Sequence, residues 1–198
     1  QKKSGISAVL AMDWDDIIRT VAERLGVRLE ANVLEIVRSH AGPPYSVLLD
    51  DADRVLRQLV KPYRAIVAAT KGLRKYQIPV LNALGLTPLF TELLTPDTNN
   101  ALKQDIAFYG KWPQSTHIQI SVGDHYEDDV VAPKAFGFTV IWKPNRQHGE
   151  SKSVNPFTRP AKYGYRDGQL IRPDAIIVSL QELPEVVEQL EEKQLVSV

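Results

Sequence analysis

The sequence predicts an α/β fold, a Rossmann-like parallel sheet with helices on both faces. Two observations predict it. Short apolar runs alternate with helical patterns along the chain, and each run is aliphatic or β-branched on consecutive positions rather than alternate ones. Consecutive apolar positions suit a strand covered on both faces, and crossover helices cover parallel strands in that way. At 198 residues, 43% apolar and 24% charged, the chain can bury a core without staples. The expectation is a single domain over residues 1–198.

The strand candidates are Ile6–Met12, Arg64–Ala69, Ile118–Val122, Phe138–Trp142 and Ala175–Val178, with Phe90–Leu94 as a further short edge strand. Helical patterns lie between them. Asp50–Val60 places Val55, Leu56, Leu59 and Val60 on one face. Leu73–Leu84 ends at Gly85, a helix C-terminal signal, with Pro79 inside it as a potential bend. Thr98–Tyr109 is entered through Pro96 and Asp97, and Leu183–Glu192 closes the chain. Two segments stand outside the alternation. Val27–Pro44 holds a helical pattern followed by the breaker Gly42-Pro43-Pro44. Asn145–Pro173 is polar, rich in Gly, Pro, Arg and Lys, and reads as an extended surface loop, hairpin or flap.

Composition excludes several classes. Lys plus Arg equals Asp plus Glu at 24 each, so no net charge recommends a nucleic-acid or membrane-surface partner. Without cysteine there is no disulfide, thiol nucleophile or Cys-based zinc site. No apolar run approaches the ~20 residues of a membrane helix. The start, Gln1-Lys2-Lys3-Ser4-Gly5, is too polar for a secretory signal, so a cytoplasmic location is expected.

The chemistry is concentrated in two acidic clusters. The apolar run Ala8–Met12 ends in Asp13-Trp14-Asp15, and Ile118–Val122 runs into Gly123-Asp124-His125-Tyr126-Glu127-Asp128-Asp129. In an open parallel sheet, ligands sit beyond the C-terminal ends of strands. Two carboxylates about 4 Å apart repel by roughly 4 kcal/mol at an effective dielectric near 20, which calls for a cation. Hard oxygen donors from two strand ends suit Mg²⁺. A solvated acidic turn is the bland alternative for each cluster taken alone.

Taken in order, these segments resemble the four motifs of the haloacid-dehalogenase-like (HAD-like) hydrolase superfamily, over about residues 6–190. Asp13-x-Asp15 matches the first motif. The second matches Ala65–Thr70, a strand ending in a hydroxyl. Lys103 in Asn100-Ala101-Leu102-Lys103 matches the third, a lysine at a helix start, and Gly123, Asp124 and Asp129 match the fourth. The resemblance implies a Mg²⁺-dependent phosphatase working through an aspartyl-phosphate. In it Asp13 is the nucleophile, Asp15 the acid and base, and Asp13, Asp15 (through its main-chain carbonyl), Asp124 and Asp129 surround the metal. Thr70 and Lys71 contact phosphate, and Lys103 neutralises charge in the transition state. Asp129 binds metal-bound water or orients Lys103, with Asp128 its competitor for that role, and Lys111 competes with Lys103.

Each residue also has an ordinary reading. Thr70 suits a cap on the following turn, a helix lysine is usually solvated, a loop histidine such as His125 is usually incidental, and Trp14 suits a pocket wall. The sequence departs from the family pattern at Ile17, where a Thr is frequent, and at Lys71, where an Asn is frequent. The dehalogenase branch lacks the second aspartate, so the presence of Asp15 favours phosphoryl transfer.

The resemblance leaves room for only a minimal helical cap, about residues 27–48, which in that family goes with open sites, large substrates or a cap donated by a partner subunit. An accessible site is expected, and a small phosphorylated substrate is the expected ligand. It also leaves room for a homo-oligomer in which a partner subunit completes the cap. The competing reading is a non-catalytic or receiver-like Mg²⁺- and phosphate-binding module acting through a protein partner.

Overall fold

The computed structural model describes residues 9–144, 165–166 and 168–196. Along the chain the helices are α1 (Trp14–Leu25), α2 (Val33–Ser39), α3 (Ala52–Leu59), α4 (Arg74–Ala83), α5 (Pro96–Asn99), α6 (Ala132–Ala135) and α7 (Leu183–Val196). The strands are β1 (Val67–Ala69), β2 (Glu92–Leu94), β3 (Ile120–Gly123), β4 (Thr139–Trp142), β5 (Tyr165–Arg166), β6 (Gln169–Leu170) and β7 (Ala175–Ile176). The fold is α/β, with parallel sheets flanked by helices, and the chain forms two compact units.

The first unit spans residues 1–49 and 59–102. Its sheet is the parallel pair β1–β2, with Val67 opposite Glu92 and Ala69 opposite Leu94. The expected edge strand is therefore the direct partner of β1. Helix α4 runs on through Pro79 and ends in a Schellman turn, with the Leu86 N–H on the Leu81 carbonyl and Gly85 at φ 68°. Val9, Leu73 and Tyr76 form a buried cluster against which Met12, Val33, Leu34 and Val37 pack. Helix α2, closed by the Asn32–Glu35 capping box, thus lies on α4.

Two expectations are corrected, one in this unit and one where the chain passes from it into the next. The run Ile6–Met12 is not a strand at its described end: Leu10–Met12 is a 3-10 turn, closed by Met12 N–H on the Val9 carbonyl and Asp13 N–H on the Leu10 carbonyl. Ile6–Ala8 lie outside the described residues. Nor is Thr98–Tyr109 one helix. Helix α5 stops at Asn100, which takes the left-handed conformation at φ 47°, and a 3-10 turn begins at Ile106, capped by the Asp105 carboxylate. Lys103 therefore sits in a turn between two short helical pieces rather than at a helix start.

The second unit spans residues 50–58 and 103–198. Its sheet is parallel in the order β3–β4–β7, with Ile120 opposite Thr139 and Ile141 opposite Ala175. All four residues of β4 are buried, as its unbroken apolar run predicts. Tyr109 packs edge-on against Phe108, Phe136 and Phe138, and Tyr126 against Trp142. After β3 the chain forms one π-helical stretch, Tyr126–Val131, which continues into α6. Val130 is fully buried, whereas Ala135 is exposed. In α3, Val55 and Leu56 are covered, whereas Val60 lies beyond the helix and is exposed. Most of Asn145–Pro173 lies outside the described residues. What is described includes the two-residue antiparallel pairing of β5 with β6.

Candidate active site

Asp13 follows the Leu10–Met12 turn and is the N-cap of α1, its Oδ1 accepting the Asp15 backbone N–H at 3.1 Å. An aspartate is well placed there, because it satisfies a free amide and its charge opposes the helix dipole. Asp15 lies in the first turn. The Asp15 Oδ1 accepts the N–H groups of Val33 at 2.6 Å and Leu34 at 3.3 Å, the first two residues of α2.

The two carboxylates meet on a residue pair that sequence reasoning missed. Lys75 Nζ lies 2.7 Å from Asp13 Oδ1, 2.9 Å from Asp13 Oδ2 and 3.0 Å from Asp15 Oδ2. The adjacent Tyr76 hydroxyl donates to Asp13 Oδ1 at 2.7 Å and accepts the Asp15 N–H at 2.9 Å. The Tyr76 ring is buried in the unit's core cluster, so its hydroxyl is a fixed reference point for both aspartates. A signal was there to be read. Arg74, Lys75 and Tyr76 open α4, where no acidic residue occurs, and cations at a helix N-terminus work against the dipole unless an anion recruits them.

Partial burial pushes the Asp13 carboxyl up, but the Lys75 ammonium and the Tyr76 hydroxyl outweigh it and hold the group below the ordinary carboxylate range. Asp15 is treated alike: burial raises it, and Lys75, Tyr76 and the amides of Val33 and Leu34 lower it further. For Lys75 burial works against the charge, while hydrogen bonds to Asp13 and Asp15 push it above the usual lysine range. Burial and the bond to Asp13 push the Tyr76 hydroxyl up to about 12. Beside Asp15 opens a cleft of about 460 Å³, lined by Ile18, Arg19, Leu29, Asn32 and Val33 among others.

Thr70 follows β1. Its N–H donates to the Leu94 carbonyl and its hydroxyl accepts the Gly72 N–H at 3.2 Å, the turn-capping role. Lys71 is exposed.

In the second unit Lys103 and Asp129 come together, at 2.7 Å from Nζ to Oδ1, with side chains 12% and 8% exposed. The other Asp129 oxygen accepts the His125 N–H at 2.9 Å. Gly123 is required here, because a Cβ at that position would collide with the Asp129 carboxylate. Asp128 is also buried, accepting from Gln104 at 3.0 Å and lying 3.0 Å from His125 Nδ1. Burial and the charges of Asp129 and Asp128 raise the Tyr109 hydroxyl. Asp124 is exposed, and its carbonyl accepts the Trp142 indole N–H. Lys111, the alternative to Lys103, sits over the Trp112 ring instead.

The donor set expected for Mg²⁺ is divided, with Asp13 and Asp15 in the first unit and Asp124 and Asp129 in the second. Within neither unit do the described residues bring three or more His, Asp or Glu side chains together to hold a metal ion. The cation between Asp13 and Asp15 is the Lys75 ammonium, and Asp129 is committed to Lys103. Asp15 stands at the second position of α1, where a main-chain carbonyl is directed into the helix ladder rather than toward a ligand. Taken unit by unit, neither pair of aspartates by itself supplies the implied donor set.

Solved structures with the same architecture decide the fold. A HAD phosphatase from Thermococcus onnurineus superposes with a TM-score of 0.63 at 21% identity, over 91% of this chain and 76% of that one. The chain has a HAD-like fold. The HAD-like neighbours span more than one chemistry. An L-2-haloacid dehalogenase from Xanthobacter autotrophicus matches with a TM-score of 0.58 at 18% identity, covering 88% and 75% of the two chains. The putative HAD-hydrolase YfnB from Bacillus subtilis, solved with magnesium, matches at 0.53 and 14%, covering 92% and 94%. No family model and no curated protein matches the sequence. Among the described residues, no helix is long and apolar enough to cross a membrane.

Proposed function

We propose that this HAD-like chain is a hydrolase of phosphoric monoesters that uses Asp13 as its nucleophile. The observation that supports this reading is the Asp13–Asp15 pair itself: two carboxylates two residues apart, held ionised by one ammonium and one fixed hydroxyl. An Asp13 oxygen attacks phosphorus, the bond to the ester oxygen breaks, and water then cleaves the aspartyl-phosphate. Asp15 is ready as the base for that water. To act first as the acid toward the leaving oxygen it must gain a proton. The arriving phosphate dianion favours this, since a like charge raises a carboxyl and draws Lys75 toward itself.

The Thr70 hydroxyl is an acceptor in its bond with Gly72, which leaves its own proton for a phosphoryl oxygen. Lys71 is the further candidate for that contact. The cleft beside Asp15 would take the leaving group, with Ile18, Leu29 and Val33 offering apolar contact and Arg19 a charge. The presence of Asp15 favours this reading over dehalogenation, whose halide leaves without a proton.

Release of phosphate from para-nitrophenyl phosphate, with and without added Mg²⁺, tests the reading. Asp13→Asn is expected to lower turnover about a thousandfold or more. Turnover that survives this substitution, or none in the unaltered protein under either condition, would overturn it.

A further inference from the structure

We infer that the Lys75 ammonium is the resident cation of the Asp13–Asp15 pair and occupies the place of a divalent ion, so that Lys75 and a metal exclude one another there. Three carboxylate oxygens lie within 3.0 Å of Nζ, one of them from Asp15 and two from Asp13. A divalent ion bound by both carboxylates would need the same space, with oxygens at about 2.0–2.1 Å for Mg²⁺. Two cations cannot share that contact.

Lys75 is also held from its own side. It opens α4, its Nζ lies 4.9 Å from the centre of the Tyr76 ring, and that ring is anchored in the buried cluster with Val9 and Leu73. A tethered ammonium acts at a high effective concentration, about millimolar or above for a short connection. A free ion has to displace it. Two helix termini converge on the same carboxylates, α1 through the Asp13 cap and α2 through the Val33 and Leu34 amides. The pair therefore keeps its geometry when the ammonium is removed, and a vacated site stays preorganised for a hard cation.

The inference concerns occupancy and not turnover, so it survives failure of the hydrolytic reading. Calorimetric titration of the full chain with Mn²⁺ tests it. Lys75→Met and Lys75→Gln are expected to bind Mn²⁺ at least about tenfold more tightly than the unaltered protein, and Lys75→Arg no more tightly than it. Equal affinity in the unaltered protein and Lys75→Met, including no binding to either, overturns the inference. Circular dichroism establishes that each variant is folded. If the neutral variants fail to fold, lysine acetylation of the unaltered protein decides, read by mass spectrometry. Lys75 is expected to react at least tenfold more slowly in the native protein than in the urea-unfolded one, and equal rates overturn the inference.

Discussion

Two pairs of aspartates, one in each unit, meet the same electrostatic problem in different ways. Asp13 and Asp15 are 19% and 24% exposed at the side chain and share a lysine that is itself 35% exposed. The Asp128 and Asp129 side chains are only 5% and 8% exposed, and Asp129 holds a lysine whose side chain is 12% exposed. The first pair keeps contact with solvent, and so does its cation. The second is enclosed by Gly123, His125, Gln104 and Tyr109, and its charges cannot be separated without leaving one of them stranded. The difference teaches that acidic clusters of similar composition can be left open to water or sealed by their partners, depending on how the surrounding segments pack.

The comparison breaks most sharply at the buried pair. Lys103→Met leaves the Asp129 charge uncompensated and is expected to destabilise the second unit by about 3–5 kcal/mol, read by urea denaturation. A loss under about 0.5 kcal/mol would mean that Lys103 is effectively solvated and the contrast is false. Gly123→Ala pushes a methyl group into Asp129 and is expected to cost about 1–3 kcal/mol by the same measurement. Tyr76→Phe tests the exposed pair. Losing one hydroxyl bridge is expected to cost about 1 kcal/mol, while activity on the aryl phosphate falls about tenfold and the remaining turnover still depends on Asp13.

The smallest expected effect is that of pH. The Asp13 and Asp15 carboxyls are lowered on folding, so their contribution is fully present above the ordinary carboxylate pKa of about 3.9 and is lost as pH falls through their lowered values. Lys75 is raised, so its contribution is present below about 10.4 and is lost as pH rises through its folded value. Between roughly pH 5 and 9 the thermal midpoint should not respond to this triad. Below about pH 4 the unaltered protein should lose more stability than Lys75→Met does, and an identical acid limb in the two would show that the ion pairing is screened away.

Much of this was legible from local patterns. The consecutive apolar residues of Thr139–Trp142 announce a covered parallel strand, and Gly85 marks the end of α4 through its left-handed conformation. The apolar positions Ile17, Ile18, Val21 and Leu25, followed by Gly26, also spell out a helix, although the elements read from the sequence include none there. The structure makes them α1. The reverse happened at Leu10–Met12 and Thr98–Tyr109, where apolar or helical periodicity is present but a 3-10 turn and the left-handed Asn100 prevail. Short segments of that kind follow the hydrogen bonds they can make, and periodicity does not weigh those.

By itself the sequence determined which residues carry charge at the ends of apolar runs, and so where a HAD-like site would be sought. Only the tertiary structure decided which cation meets which carboxylate. Lys75 and Tyr76 reach Asp13 across more than 60 residues of chain, and Lys103 reaches Asp129 across 26. Such pairings depend on how α4 and its neighbours pack, and a one-dimensional pattern records periodicity along an element but not the partner that packing brings to it.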